Sequence, residues 1–202
     1  MQRKNSIEAL VAEVLDGTEL VLRVDSYSLN ENLETGEVSI SCDVHHEKSG
    51  EQQVIEGKGV GIVDALFHGF VDIYSQTYHS LETIRFVDFS VAAHIDRART
   101  GALTDSSSKV TLCVANSEEQ EFLFTHESPS STRSSIEAVL QAAEFFVNSE
   151  RAFIAVYRAL DHARKENRVD SVARYTKQLT TLVGATSYTE VIDKIRREEL
   201  SS

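Results

Sequence analysis

The stretch Gly57-Lys58-Gly59-Val60-Gly61-Ile62-Val63-Asp64-Ala65-Leu66 decides how the rest of this chain is interpreted. Three glycines alternate at the end of a run typical of a β-strand, and an amphipathic helix begins directly after them. Glycine permits positive φ and lets a ligand or another backbone approach closely, because it has no Cβ atom. The first N–H groups of the helix lack intrahelical partners, so a carboxylate or phosphate could bind there. The stretch therefore predicts either a tight strand-to-helix connection or a small anion site.

The pattern around this glycine loop occurs twice. Alternating apolar residues predict three strands before the loop, and a helix follows it from about 62 to 80. Three more strands then precede a second helix, which Pro129 and neighbouring hydroxyl residues introduce. We therefore predict an α+β fold of two βββα units, at about 20–81 and 84–148. The predicted strands are residues 20–29, 38–44, 52–57, 85–95, 110–114 and 121–125.

The remaining segments are expected to be helical or loop. A short helix is predicted within residues 1–18, ahead of a main domain at 19–150. The polar residues 96–108 are expected to form a loop. The second long helix is expected to run on or restart near residue 153, and two amphipathic helices close the chain. We predict residues 151–202 to be a C-terminal helical extension, an appendage or an added oligomer surface.

Composition excludes several classes of protein. The 202 residues carry a formal net charge of -12, so no basic surplus exists for binding nucleic acid. Cys42 and Cys113 are far apart and lie at strand positions, which predicts buried free thiols. No stretch resembles a secretory signal or a membrane span, so we expect a cytoplasmic protein that does not associate with membranes.

The sequence contains few candidates for catalysis. His45 and His46 are adjacent on a strand and should point to opposite faces, so they are not expected to hold a metal together. His68 shares a helix face with Asp64 and Asp72, which could bind a cation or transfer protons; a solvated helix face is the simpler interpretation. The glycine loop lacks the last glycine of the dinucleotide motif and its βαβ context. We predict no catalytic residue, no metal and no cofactor.

The order of these motifs resembles the C-terminal allosteric (dimerisation) domain of 2-isopropylmalate synthase, a domain shared by citramalate synthases. That family has a G-x-G-x-G-P-V-D-A loop, and this chain matches it except that Ile62 replaces proline. Val87-Asp88-Phe89 corresponds to the family's L-D-Y, and residues 105–112 correspond to its next strand. Ala138 and Ala142 match the spaced alanines of its second helix. The resemblance covers about residues 20–150.

The resemblance implies a homodimer that binds a branched-chain amino acid or keto acid. Residues carried over individually from the family would lie at the effector site: Gly59, Gly61, Val63, Phe89, Ala93, Ser106 and Ser131. Phe89 stands where the family has a tyrosine, and Ser131 where it has an apolar residue. The pocket therefore differs in polarity from a leucine site.

The large catalytic barrel of these synthases has no counterpart here, since about 19 residues precede the first predicted strand and a TIM barrel needs roughly 200. We therefore expect a stand-alone, non-catalytic regulatory domain that acts on a separate synthase chain. The alternative is a structural or protein-interaction module that keeps the dimer fold and has lost the effector pocket. A third hypothesis is an enzyme that uses His68, Asp72 or Asp64.

Overall fold

The computed structural model describes residues 2–95 and 106–200. The elements are α1 (Gln2–Leu15), β1 (Leu22–Glu31), β2 (Val38–His46), β3 (Gln52–Gly59), α2 (Ile62–Tyr74), a 3-10 helix (His79–Glu82), β4 (Arg85–Ile95), β5 (Ser106–Ala115), β6 (Glu121–Ser128), α3 (Ser131–Lys165), α4 (Val169–Leu182) and α5 (Thr189–Leu200). These confirm the predicted α+β fold of two βββα units. The first unit is β1–β3 with α2, and the second is β4–β6 with α3.

Each unit contains one antiparallel sheet with its strands in sequence order, β1-β2-β3 and β4-β5-β6. Both sheets have a register shift at the same place in the first strand, between Val24 and Ser26 in β1 and between Phe86 and Asp88 in β4. A β-bulge locally increases strand twist and is a designed feature rather than a defect. The shared bulge is structural evidence for the duplication that the sequence pattern predicted.

The shared bulge also aligns the two units residue by residue. Tyr27 pairs with buried Cys42, and at the equivalent place Phe89 pairs with buried Leu112. Helix α2 covers β2 and β3, helix α3 covers β5 and β6, and the two helices contact each other. Helix α2 also reaches the other sheet, where the Phe67 and Phe86 rings meet edge to face at 4.7 Å. The two units therefore share one core.

Three elements differ from their predicted bounds. Helix α2 ends at Tyr74 rather than near residue 80, because the buried Glu150 carboxylate accepts hydrogen bonds from the N–H groups of His79 and Ser80 and holds them in a separate 3-10 turn. Helix α3 is one continuous helix of 35 residues, without a restart near 153. Strand β5 begins at Ser106, so the predicted polar loop 96–108 is strand over its last three residues, and its residues 96–105 lie outside those described.

The C-terminal segment contributes to the core. Helix α4 packs against α1 and α3, and the Tyr188 ring stacks on Phe153 with centroids 4.2 Å apart. The Asn116 amide donates to the carbonyl of Ala185 at 2.6 Å. Buried residues of this segment are Leu182, Ala185, Tyr188, Val191 and Ile195. Truncation after α3 would therefore expose apolar core surface.

Both cysteines are free and buried, as predicted. Burial raises the pKa of the Cys42 thiol to about 11, and it also raises that of Cys113. Since the thiolate is the reactive form, neither side chain is suited to nucleophilic chemistry.

Candidate functional site

The glycine loop is first a packing device between β3 and α2. A Cβ atom at Gly57 would lie 1.8 Å from the carbonyl oxygen of Ala65, and one at Gly59 would lie 2.7 Å from the Ala65 nitrogen. Gly69 of α2 faces β3, and a Cβ atom added to Gly69 would lie 2.6 Å from the Glu56 carbonyl oxygen. The alternating glycines therefore allow helix backbone to approach strand backbone, which is one of the two functions that the sequence left open.

Gly61 differs from the other two loop glycines. Its φ of 100° lies in the region that favours glycine, and a Cβ atom there would meet nothing within 4 Å. Gly61 is the N-cap residue of α2 and provides no side-chain hydrogen bond. Its counterpart in the second unit, Ser130, accepts a hydrogen bond from the Arg133 N–H through its hydroxyl. The start of α2 is thus open to solvent and lacks the side-chain cap that α3 has.

Asp64 and His68 hold this loop. Asp64 Oδ2 accepts a hydrogen bond from the Val60 N–H at 2.9 Å, and His68 Nδ1 lies 2.8 Å from the Lys58 carbonyl oxygen. His68 Nε2 is 3.6 Å from Asp64 Oδ1. Both groups therefore have a structural function that accounts for their presence on one helix face.

The residues carried over from the family fall into two groups. Gly59, Gly61 and Val63 lie at the junction of β3 and α2. Phe89 and Ala93 lie on β4, Ser106 is the first residue of β5, and Ser131 is the first residue of α3. All of these positions except Phe89 lie at the helix-start end of their sheet; Phe89 lies in the middle of β4, opposite Leu112. Among the described residues, no hydrogen bond or ion pair joins the two groups.

The first strand of each sheet, β1 and β4, is an edge strand with apolar side chains that are uncovered on the helix side of the sheet. Tyr27 and Leu29 of β1 are each 41% exposed, and Phe89 and Val91 of β4 are 42% and 48% exposed. In the first unit this surface deepens into a groove of about 820 Å³ between β1, β2 and α2. Leu29 and Ile40 line the groove from the sheet, and His68, Val71 and Asp72 line it from the helix.

A second cavity lies at the opposite end of the first sheet. We call it the Arg151 cavity; its volume is about 340 Å³. It is bounded by the start of β1, the β2–β3 turn, the end of α2 and the middle of α3. The lining residues are Leu20, Leu22, His46, Glu51, Gln53, Tyr74, Tyr78 and Arg151. Six of these eight carry a polar or ionisable side-chain group, which is unusual for a position between a sheet and its helices.

Several polar groups of the Arg151 cavity have unused hydrogen-bonding capacity. His46 Nδ1 is buried and has no partner among the described residues. The Tyr74 hydroxyl donates to Gln53 Oε1 at 2.7 Å, and its own oxygen can still accept. Burial, reinforced by nearby Tyr78 and Glu51, raises the pKa of Tyr74 to about 12. Tyr74 therefore remains a neutral hydroxyl at physiological pH.

Helix α3 carries polar residues, buried or half-buried, that hold the chain around this cavity. Asn148 clamps Leu20 through two hydrogen bonds, accepting from its N–H at 2.7 Å and donating to its carbonyl oxygen at 2.9 Å. Glu144 accepts from the Leu22 N–H at 2.6 Å, and burial raises its pKa to about 7. Sequence reasoning missed these residues, and their signal was the run of polar side chains inside an otherwise apolar helix.

The structure shows no assembled metal site in the part of the chain that it describes. His45 Nδ1 lies 2.9 Å from Asp25 Oδ1, whereas His46 lines the Arg151 cavity, so the two side chains have different surroundings. Within the same described ranges, no helix has the length and apolar character needed to cross a membrane.

Comparison with known proteins does not assign this duplicated βββα domain to a family. No family model matches the chain, and a search of curated proteins finds no match.

Proposed function

We propose that this chain is a regulatory domain without catalytic activity, which forms a homodimer in the cytoplasm and binds a small branched-chain amino acid or keto acid. Through that binding it regulates a synthase of the 2-isopropylmalate or citramalate type. We infer this function from the resemblance of the glycine loop and the later strand motifs to the allosteric domain of those synthases.

One structural observation carries the proposal: two βββα units with a bulge at the same position leave equivalent apolar side chains uncovered. Tyr27 and Leu29 in the first unit correspond to Phe89 and Val91 in the second, and all four lie on the helix side of an edge strand. Unpaired edge strands with half-exposed apolar residues favour pairing with another chain. A second copy would cover both surfaces by the same contacts.

The candidate catalytic groups support binding rather than turnover. Asp64 and His68 are engaged in holding the loop backbone. Asp72 lines the groove on the same helix and has no hydrogen bond or ion pair with another described residue. None of these contacts forms the nucleophile–base pair that covalent catalysis requires.

The homodimer is tested by sedimentation equilibrium of Val91→Asp with Ala92→Asp as its matched control. Ala92 is the next residue of β4 and faces the opposite side of the strand, so only the Val91 change places a charge on the apolar surface. We expect wild type and Ala92→Asp to be dimers, and Val91→Asp to dissociate at least about tenfold more readily. A dimer that tolerates the Val91 change equally well would place the interface elsewhere.

A protein-interaction module is the second candidate, and the glycine packing favours it. Gly57, Gly59 and Gly69 are each required for the approach of α2 to β3, so the loop has a structural function without any ligand. This candidate predicts a dimer whose melting temperature no amino acid or keto acid raises. The effector-binding domain predicts a rise with at least one of them.

A further inference from the structure

The Arg151 cavity contains a guanidinium that has no carboxylate partner among the described residues. Arg151 is half-buried, and its one hydrogen bond among the described residues is a long contact of 3.4 Å to Asn148 Oδ1. A guanidinium has five N–H donors and binds carboxylates through two parallel hydrogen bonds. The chain contains 32 acidic residues, yet none of those described forms an ion pair with Arg151. Its free donors point to an anionic ligand.

A residue of opposite charge, Glu51, also lines the cavity. Glu51 is exposed in the β2–β3 turn and makes no side-chain ion pair with another described residue, and its charge contributes to raising the pKa of Tyr74. Leu20 and Leu22, which are 6% and 3% exposed, form the apolar wall. The cavity thus combines a short apolar surface with a cation and a carboxylate that form no ion pair within the described part of the chain.

The second unit shows that two of these polar residues are not needed for the fold. With the units aligned on their bulges and helix starts, Phe122 occupies the position of Gln53 and Ala143 that of Tyr74. Both replacements are buried apolar residues of the core. The first unit therefore has polar side chains at two cavity positions where the second unit has buried apolar ones, which indicates that these polar groups serve a function other than packing.

We infer that the Arg151 cavity binds an α-amino acid with a short aliphatic side chain, whose carboxylate pairs with Arg151 and whose ammonium group faces Glu51. The inference rests on the proposed function and gives its effector a location. A volume of about 340 Å³ falls in the range of roughly 300–1,000 Å³ typical of small-molecule sites. Gln53 and Gly59 are six residues apart on β3, so the cavity lies about 20 Å from the glycine loop.

Isothermal titration of the full chain with leucine, isoleucine, valine and their 2-keto acids tests the inference. We expect an amino acid to bind more tightly than its keto acid, because the keto acid lacks the ammonium group. Arg151→Gln should weaken binding at least about tenfold, since charged hydrogen bonds are lost. Glu51→Gln should weaken binding of the amino acid and leave that of the keto acid unchanged.

Matched controls separate the cavity from the glycine loop. Arg158→Gln removes a charge from the exposed side of the same helix, and Glu34→Gln removes one from an exposed turn; neither should alter affinity. Gly61→Val tests the glycine loop rather than serving as a neutral control, because a φ of 100° strains any side chain and its fold must first be checked by circular dichroism; once folded, it should bind as wild type does. If Arg151→Gln does not fold, Arg151→Lys provides the same test. It keeps the charge and should keep the fold, but it loses the paired hydrogen bonds of the guanidinium and should bind weakly.

Each outcome has a distinct meaning. Wild-type binding that survives both Arg151 changes overturns the cavity assignment and leaves the proposed function intact. Binding that is lost in Gly61→Val and kept in Arg151→Gln locates the effector at the glycine loop instead. Absence of binding by all six compounds contradicts the proposed function itself.

Discussion

Replacing Gly57 by alanine places a methyl group where α2 already lies. The added carbon would be 1.8 Å from the Ala65 carbonyl oxygen and 2.8 Å from the Gly69 nitrogen, and both atoms are backbone. No side-chain rotation relieves such contacts, so helix and strand must separate. Overpacking costs about 1–3 kcal/mol and occasionally more, and we expect Gly57→Ala to lose at least about 3 kcal/mol.

Urea unfolding followed by circular dichroism measures this loss, with Gly36→Ala as the control. Gly36 lies in a turn where a Cβ atom meets nothing within 4 Å, and its φ of 73° predicts a cost of about 1 kcal/mol. A loss of about 3 kcal/mol lowers the melting temperature of a protein of this size by about 6–12 °C. At an unhindered strand position, alanine would instead gain roughly 0.5–1 kcal/mol over glycine. A Gly57 variant as stable as the Gly36 variant would refute the packing argument.

Three further changes follow from the buried polar groups of α3 and from the apolar edge. The pKa of Glu144 in the folded state is about 7, against an ordinary value of 4.5, so the stabilisation that its protonated form gives the fold is present below pH 4.5 and is lost as the pH rises through 7. Glu144→Gln should therefore be more stable than wild type at pH 8 by roughly 2–4 kcal/mol. Equal stability of the two proteins at pH 8 would contradict this. Asn148→Ala leaves two buried groups of Leu20 unpaired and should cost about 2–4 kcal/mol in urea unfolding, whereas a loss as small as that of exposed Asn30→Ala would show that the clamp contributes little. Val91→Asp should keep the monomer's melting temperature in dilute solution, because the side chain is already half-exposed there; a lower value would indicate a core position.

Most of the fold could be predicted from the sequence because its signals are local. Val38, Ile40, Cys42 and Val44 alternate on β2, and all four are buried against α2 as period-two patterning requires. The positions of the bulges could not be predicted, because a single extra residue such as Asp25 leaves little trace in the apolar pattern.

Two of the misplaced boundaries, the end of α2 and the expected restart of α3, have the same cause, which is polar side chains whose hydrogen-bond partners lie far away in the sequence. Asn148 and Glu150 look like a break in the second helix until their partners Leu20 and Ser80 are known. Those partners lie 128 and 70 residues away, so no local rule could supply them. The Arg151 cavity was missed for the same reason, because its lining comes from four separate segments.

The glycine loop shows the limit of a motif. Its spacing correctly indicated that something approaches the backbone closely, and the structure shows that Gly57 and Gly59 admit the start of α2. Gly61 takes no part in this packing, since a Cβ atom there would meet no described atom within 4 Å. Sequence spacing could not separate these functions, because removal of Cβ serves a backbone and a ligand equally well.

The most direct test of effector binding is the melting temperature of the wild-type chain with and without saturating leucine, isoleucine, valine and their 2-keto acids. A ligand at one hundred times its Kd stabilises the folded state by about 2.7 kcal/mol, which corresponds to a rise of about 5–11 °C. The proposed function predicts such a rise with at least one of these compounds. An unchanged melting temperature with all six would contradict it.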